Sequence, residues 1–140
     1  MRVMSATQVR NEWSAVVDSV IREKPVFIKR TRDNMMLIDI ATIEELLSGY
    51  SFHAELFQEE DGSVTISLDE IDLVENGRDA EDAQAKMSKG ILDYAGMFYE
   101  DFSYWARGDR AAHIPYVFKA LVLNDVGKIG DLTQCRHGKS

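Results

Sequence analysis

The strongest fold signal in this chain lies near its start, where an apolar stripe follows helical spacing. Ser5 and Gln8 form the S-x-x-Q pattern of a capping box, which marks the beginning of a helix. Pro25 marks its end, because the proline ring and the missing N–H break helices. Between them, apolar residues recur as on one helix face: Val9, Trp13, Val16, Val17, Val20 and Ile21. The sequence therefore predicts one amphipathic helix over residues 5–24.

A β-hairpin is predicted directly after this helix. Residues 26–29 and 35–40 are apolar runs of strand length, and the segment between them is polar. Within that segment, Asp33 and Asn34 tolerate the positive φ that tight hairpins require. We therefore expect two antiparallel strands joined by a turn over residues 30–34.

A second short helix completes the predicted N-terminal unit. Thr42 and Glu45 repeat the capping-box pattern, and Gly49 is a residue type that commonly follows a helix end. Residues 1–50 are therefore predicted to form one unit that combines a helix, a β-hairpin and a short helix, with a first strand before the helix as an option. About fifty residues are few for an independent hydrophobic core, so we expect this unit to pair with a copy of itself.

Residues 51–140 predict a second domain, of the α+β class, with a small antiparallel sheet and several helices. Asp79 is a typical helix cap, and Gly108 interrupts the helical pattern that follows. The predicted elements are strands at 52–58 and 63–68, a strand or loop at 71–77, a long helix at 80–99, a helix or strand at 113–123, and a weak short helix within 126–140.

Charge is divided unevenly between these two regions. The whole chain has a net charge of −8, yet residues 1–50 contain 7 Lys/Arg and 7 Asp/Glu, a net of zero. Residues 51–140 contain 9 Lys/Arg and 17 Asp/Glu, which accounts for the whole net charge. Such an asymmetry indicates two surfaces with different partners.

The sequence also carries signals about compartment. No stretch approaches the roughly 18 consecutive apolar residues that a membrane span needs, and the N-terminus lacks the apolar core of a signal peptide. The single cysteine, Cys135, cannot form an intramolecular disulfide and has no clustered metal partners. We therefore expect a cytoplasmic protein without membrane contact.

Motifs of common enzymes are missing from the sequence. His53, His113 and His137 are isolated, and the spacings typical of zinc sites, nucleophile elbows and phosphate-binding loops do not occur. The acidic runs 59–61 and 79–82 are explained as turn and helix-start residues. We predict no catalytic residue, no metal site and no cofactor. A small acidic enzyme whose fold brings two carboxylates together is the least favoured alternative.

Four of the seven Lys/Arg of the first fifty residues fall into two groups. Arg10 lies on the outward side of the predicted helix, whereas Lys29, Arg30 and Arg32 follow the first hairpin strand. Ordinary surface cations are the alternative interpretation, but a dimer would double both groups and could track DNA phosphates. The candidate DNA-binding residues are Arg10, Asn11, Ser14, Lys29, Arg30 and Arg32.

Several of these residues belong to a known pattern: Ser5 at the helix entry, Val9-Arg10 and Trp13-Ser14 within the helix, Pro25–Arg30 entering the hairpin, and Thr42 near the closing helix. In this pattern the first third of the chain resembles the N-terminal DNA-binding unit of Phd/YefM-type antitoxins. The resemblance implies an obligate dimer that binds its own operator DNA, with Arg10 and Arg30 contacting the DNA. It also implies a cognate toxin that the antitoxin neutralises by direct binding.

Glu12 departs from the family pattern, which usually has asparagine two positions after the helix arginine. A carboxylate that faces a phosphate repels it, so either Asn11 takes over the contact or the affinity for DNA falls. The departure supports an alternative from another class: a non-catalytic interaction or regulatory protein that keeps the antitoxin fold without binding DNA.

A second, shorter pattern lies in the acidic region. Gly77, Asp79, Glu81 and Ala83 follow a predicted hairpin and open the long helix. This arrangement resembles a HicB-like unit. Because HicB-like units also occur in antitoxins, the resemblance implies the same kind of function.

Two features of the acidic region suggest a surface for a protein partner. From Glu55 to Asp82 the chain contains 11 carboxylates and one cation, Arg78. An acidic surface steers a basic partner, so we expect a basic toxin; a face that only aids solubility is the alternative. The second feature is a group of aromatic residues that suits either an interface or the domain core: Phe98, Tyr99, Phe102, Tyr104 and Trp105.

Overall fold

In a computed structural model, which describes residues 1–138, the chain divides into two units, Met1–Leu46 (the first unit) and Leu47–Ser140 (the second unit). The first unit contains β1 Val3–Ser5, α1 Ala6–Asn11, α2 Trp13–Arg22, β2 Val26–Arg30, β3 Asp33–Leu37 and α3 Ile40–Leu46. The second unit contains β4 Phe52–Gln58, β5 Val64–Leu68, β6 Val74–Gly77, α4 Ala80–Glu100, α5 Phe102–Trp105, a 3₁₀ helix Gly108–His113, α6 Ile114–Leu123, α7 Val126–Leu132 and β7 Thr133–His137. Within residues 1–138, no helix combines the length and the apolar character needed to cross a membrane.

The first unit is a three-stranded sheet with helices packed on one of its faces. β2 lies in the middle, parallel to β1 and antiparallel to β3. The predicted capping box is present, because the Gln8 N–H donates to Ser5 Oγ (3.1 Å) and the Ser5 N–H donates to Gln8 Oε1 (3.0 Å). The small core comprises three helix residues and one strand residue: Val9, Val16, Val20 and Ile28.

The predicted N-terminal helix is interrupted at Glu12. There the backbone adopts φ −116° and ψ 30°, so α1 ends and α2 begins at the next residue. The prediction of one unbroken helix is wrong at this point. The Glu12 N–H still donates to the Gln8 carbonyl (2.9 Å), and the Glu12 carbonyl accepts from the Val16 N–H (2.9 Å). Because the hydrogen bonds continue through the break, neither proline nor glycine marks it in the sequence.

The hairpin is tighter than predicted. β2 and β3 pair as far as Arg30 and Asp33, which leaves only Thr31 and Arg32 in the turn. The positive φ (54°) belongs to Thr31 and not, as predicted, to Asp33 or Asn34. The Arg30 guanidinium and the Asp33 carboxylate pair at 3.2 Å across the strand ends, which favours this register.

The short helix α3 begins earlier than predicted. It spans Ile40–Leu46, so Thr42 lies inside its first turn and Gly49 lies beyond its end. The Asp39 carbonyl accepts from the Ile43 N–H (3.2 Å), and the Asp39 carboxylate accepts the Thr42 hydroxyl. Asp39 therefore precedes the first turn in the place that the prediction assigned to Thr42.

The second unit is a four-stranded sheet whose buried face packs against α4, α6 and α7. The strand order is β6-β5-β4-β7, with β7 parallel to β4 and the other pairs antiparallel. The predicted α+β class is confirmed, and a parallel edge strand is added to the antiparallel sheet. The largest fully buried side chains are Phe52, Ile66, Ile71, Met87, Ile91, Phe98, Val117 and Ile129.

Residues 126–137 form more regular structure than predicted. Where a weak helix was expected within 126–140, the structure has the helix α7 followed by the strand β7. Residues 139 and 140 lie outside the described part. Asp125 caps α7 by accepting from the Lys128 N–H (2.9 Å), and Ile129 is fully buried. Most of β7 is exposed at the sheet edge, so its residues lack the apolar alternation that predicts a strand.

The structure decides between the two secondary-structure interpretations of two segments. Residues 114–123 form a helix, with Pro115 in its first turn, and not a strand. Gly108 separates it from α5 and adopts a positive φ of 60°. The segment 71–77 becomes a strand only from Val74 onward.

Gly77, at the end of β6, lies close against the backbone of the first turn of α4. A Cβ added there would lie 2.3 Å from the Ala83 backbone nitrogen. We expect Gly77→Ala to lower the free energy of unfolding by about 3 kcal/mol, measured by urea denaturation, because strand and helix must move apart. In the control Gly96→Ala the new Cβ meets no atom of residues 1–138 within 4 Å, and stability should rise by up to about 1 kcal/mol. A Gly77→Ala protein as stable as the wild type would contradict the close approach.

Candidate functional site

All six residues predicted to contact DNA are exposed, and they lie at two places in the first unit. One place is the break between α1 and α2, and the other is the end of β2 with its turn. Arg10, Asn11 and Ser14 lie at the break, whereas Lys29, Arg30 and Arg32 lie at the strand end.

Strand alternation separates Lys29 from Arg30. Side chains two positions apart on a strand share a face, so Arg30 lies on the face of Ile28, which packs against Val9 of α1. Lys29 lies on the opposite face, next to its sheet partners Ser5 of β1 and Asn34 of β3. Arg30 therefore shares its face with the helix that carries Arg10, and Lys29 does not.

The Arg30 guanidinium already has a partner, the carboxylate of Asp33 at 3.2 Å. Their side chains are 70% and 64% exposed. Exposed ion pairs of this kind contribute only about 0–1 kcal/mol, so a phosphate can compete for the guanidinium at little cost.

Glu12, the residue that departs from the family pattern, is exposed at the break between α1 and α2. No side-chain hydrogen bond from Glu12 caps α2. Glu12 thus adds an exposed negative charge to the segment that carries Arg10, Asn11 and Ser14.

The aromatic group predicted to bind a partner is partly core and partly surface. Phe98 is fully buried and belongs to the core of the second unit, so it is not available to a partner. Trp105 packs partly against that core and lies under the Arg110 guanidinium, 4.7 Å from the ring centroid. Tyr99, Phe102 and Tyr104, which we call the aromatic surface, are 54%, 37% and 63% exposed.

Phe118 supports the aromatic surface but was not among the predicted residues. Its ring centroid lies 5.8 Å from that of Phe102 and 6.4 Å from that of Tyr99, and both contacts are edge-to-face. The Phe102 ring in turn packs against the buried Phe98 ring, with 5.8 Å between the two ring centroids. The sequence would have predicted a contact between Phe118 and these rings only if residues 114–123 had been assigned as a helix.

Known proteins place the chain in a family. Residues 1–134 match the PHD_like family model, described as antitoxin of toxin-antitoxin, RelE / RelB, TA system. The chain belongs to this antitoxin family. A crystal structure described as an antitoxin part of a toxin/antitoxin system from Syntrophomonas wolfei subsp. wolfei has a TM-score of 0.90, with 30% identity, covering 99% of this chain and 100% of that one. No curated protein matches the chain.

The match extends over both units, so the acidic region of the antitoxin belongs to the family as well. Some of its carboxylates form ion pairs and hydrogen bonds within the second unit. Arg136 binds both carboxylate oxygens of Asp69, at 2.9 and 3.1 Å. The Arg78 N–H, aided by Lys86, lowers the pKa of Asp82. The antitoxin therefore uses some of its carboxylates internally and leaves others, such as those of 59–60, exposed on the β4–β5 turn.

The histidines of the antitoxin do not assemble a metal site. Within residues 1–138, no three His, Cys, Asp or Glu side chains form a group that could hold a metal ion. The His113 ring hydrogen-bonds with the Tyr94 hydroxyl at 2.7 Å, and His53 lies 3.3 Å from Glu70. Burial raises the pKa of Tyr94. Both histidines thus take part in contacts within the second unit.

Proposed function

We propose that this antitoxin is a dimeric DNA-binding autorepressor that neutralises its toxin by direct, stoichiometric binding and without catalysis. The observation that carries the proposal is the division of charge. The neutral first unit places Arg10 and Arg30 on the helix-bearing side of its sheet, whereas the second unit carries the whole net negative charge. DNA is then the partner of the first unit, and a basic toxin is the partner of the second.

DNA binding through several phosphates must weaken steeply with salt, because each contact releases counterions. Fluorescence anisotropy with DNA from the promoter of the antitoxin's own gene, measured over a series of salt concentrations, tests this part of the proposal. We expect a steep fall in affinity. An affinity that is absent at low salt, or that does not change with salt, would contradict it.

A second copy is needed because the first unit does not bury its whole apolar stripe. Only four of its side chains form a buried core, whereas Trp13 and Ile21 are 53% and 65% exposed. Together with Val17 they form one row along α2, since residues four apart are neighbours on a helix. Leu37 and Ile38 extend this row into a shallow groove. We assign the α2 row to a dimer interface between two copies.

The dimer assignment can be tested by placing a charged side chain in the apolar α2 row. Ile21→Glu would place two carboxylates in the interface, so we expect light scattering after size-exclusion chromatography to show a monomer. The matched control is Met36→Glu, an exposed apolar residue on the opposite face of the sheet, which should remain dimeric. A dimeric Ile21→Glu protein, or a monomeric control, would rule out the α2 row as the interface.

We assign toxin binding to the aromatic surface and the exposed carboxylates of the second unit. Large rings anchored on a rigid core lose little freedom on binding, which is why aromatic residues dominate interface energies. An acidic rim adds steering of a basic partner. The Phd/YefM type of the first unit and the HicB-like character of the second remain predictions from sequence.

Glu12 favours the second candidate function, an antitoxin-like regulatory protein that does not bind DNA. If DNA binding is kept, Glu12 weakens it, and Glu12→Gln should raise the affinity for promoter DNA about three- to tenfold at low salt. Glu23→Gln, which removes an exposed carboxylate after the end of α2, is the control and should change the affinity less. Equal effects of the two substitutions would show that Glu12 does not face the DNA.

A further inference from the structure

The sheet of the second unit ends in two edge strands that differ in their protection. At one edge, β6 has only four residues, and Lys86 Nζ binds the Asn76 carbonyl (3.2 Å). Short length and a lysine beside the strand keep other chains from pairing with an edge. At the other edge, β7 has five residues, of which the last four are exposed, and it contains neither proline nor lysine. β7 is therefore the open edge of this sheet.

The backbone of β7 presents hydrogen-bonding groups at this edge. The Gly138 N–H donates to the Leu56 carbonyl of β4 (2.7 Å). Since residues two apart on a strand direct their N–H and C=O to the same side, those of Arg136 also face β4. The N–H and C=O of Cys135 and His137 therefore point away from the sheet. Within residues 1–138, β4 is the one strand that pairs with β7, so these outward groups can receive a further strand.

The arginine of β7 does not close the edge. The Arg136 guanidinium binds the Asp69 carboxylate at 2.9 and 3.1 Å and lies 3.7 Å from that of Glu55, so it is held over β4 and the end of β5. The cation that could repel a basic strand is thus neutralised by two carboxylates on the side away from the edge.

Charge beside the edge selects the partner. On the helix side, Cys135 lies in one recess with the carboxylates of Glu81 and Asp131, and within residues 1–138 no lysine or arginine lines that recess. If two antitoxin copies paired through β7, these carboxylates would face their own counterparts and repel them. An extended segment with basic side chains is attracted instead.

We propose that the edge of β7 pairs with an extended, basic segment of the toxin, which adds a fifth strand to the sheet. The inference rests on the proposed function and names the form in which the toxin is bound. Backbone hydrogen bonds to Cys135 and His137 hold the segment, and its basic side chains lie beside Glu81 and Asp131.

One toxin can cover both this edge and the aromatic surface. Gln84, which lines the same recess as Cys135, and Tyr99 of the aromatic surface both belong to α4. A helix rises about 1.5 Å and turns about 100° per residue, so Tyr99 lies about 22 Å further along α4 and about 60° around it. A standard interface buries about 800 Å² on each partner, which corresponds to a patch about 30 Å across. The two surfaces therefore fit within one interface.

Amide hydrogen exchange measured by NMR on the full chain tests the pairing directly. In the free antitoxin we expect fast exchange at Cys135 and His137 and slower exchange at Arg136, whose N–H faces β4. Addition of the protein encoded beside the antitoxin gene should slow exchange at Cys135 and His137 about tenfold or more, because new hydrogen bonds protect these amides.

The same experiment separates the possible failures. A complex that leaves both exchange rates unchanged would overturn the inference and leave the proposed function intact, whereas failure to form any complex would refute both. Slow exchange at Cys135 and His137 in the free antitoxin would show that another copy of the chain occupies the edge, which also overturns the inference.

Cys135→Pro tests the edge by affinity. Proline removes the outward N–H and brings its ring towards the incoming strand, and edge strands accept proline where the N–H faces solvent. We expect the variant to stay folded, as measured by circular dichroism, and to bind the toxin at least about tenfold more weakly. The control, Cys135→Ala, keeps the N–H and should bind as the wild type does. Equal affinities of the two variants would overturn the proposal, and the exchange experiment decides it if the proline variant does not fold.

The basic character of the segment is tested by Glu81→Gln combined with Asp131→Asn. We expect about fivefold weaker toxin binding at low salt, because the carboxylates beside the edge are lost. The control, Glu59→Gln with Glu60→Gln, makes the same change of charge on the β4–β5 turn and should weaken binding less. Equal effects of the two pairs would show that the edge does not select its partner by charge and would overturn the assignment of a basic segment.

Discussion

Phe98→Ala is expected to lower the free energy of unfolding of the antitoxin by about 3–5 kcal/mol, because it removes a fully buried ring and leaves a cavity. The ring lies 5.9 Å from that of Tyr94 and 5.8 Å from that of Phe102, so it connects the core with the aromatic surface. Urea denaturation followed by circular dichroism measures this loss.

The neighbouring substitution Tyr99→Ala is the matched control. Tyr99 is 54% exposed, so its truncation should change stability by less than about 1 kcal/mol. The contrast separates the two interpretations of the aromatic group, since a core residue affects unfolding and a surface residue affects partner binding. A small loss of stability in Phe98→Ala would mean that its ring is not part of the core.

Arg10→Ala combined with Arg30→Ala is expected to weaken binding to promoter DNA about a thousandfold at low salt. Two lost contacts in each copy make four in a dimer, and about 1 kcal/mol for each gives this factor. The slope of log affinity against log salt should also fall in magnitude by about 3–4. Fluorescence anisotropy at several salt concentrations yields both quantities.

Arg22→Ala combined with Lys24→Ala provides the control for charge. Both residues are exposed around the end of α2, outside the two cation groups, and removing them changes the net charge by the same amount. We expect only a small loss of affinity. If this pair lowers the affinity for DNA as much as the Arg10 and Arg30 pair does, DNA binding depends on the total charge of the first unit and not on a particular face.

Local signals in the sequence sufficed for much of the fold. The capping box at Ser5 and the cap at Asp79 are short-range interactions, so helix starts at these positions follow from a few neighbouring residues. The break at Glu12 could not be predicted from the sequence, because neither proline nor glycine marks it. Nor could β7, because an exposed edge strand is held by backbone pairing to β4, which leaves no pattern of side chains.

The candidate sites were predictable as sets of residues but not as surfaces. Lys29 and Arg30 are equivalent cations in the sequence, and they fall on opposite faces because β2 continues through Arg30, one residue beyond the predicted strand. Phe98 and Tyr99 are likewise adjacent aromatics, and only the packing of α4 buries one and exposes the other.

We propose that the antitoxin binds two different macromolecules through two separate surfaces. Light scattering of the antitoxin mixed with promoter DNA and with the protein encoded beside its gene tests this proposal. We expect a ternary complex that loses only the DNA in Arg10→Ala with Arg30→Ala, and only the protein in Tyr99→Ala with Tyr104→Ala. Loss of both partners in either variant, or of neither partner in both, would contradict it.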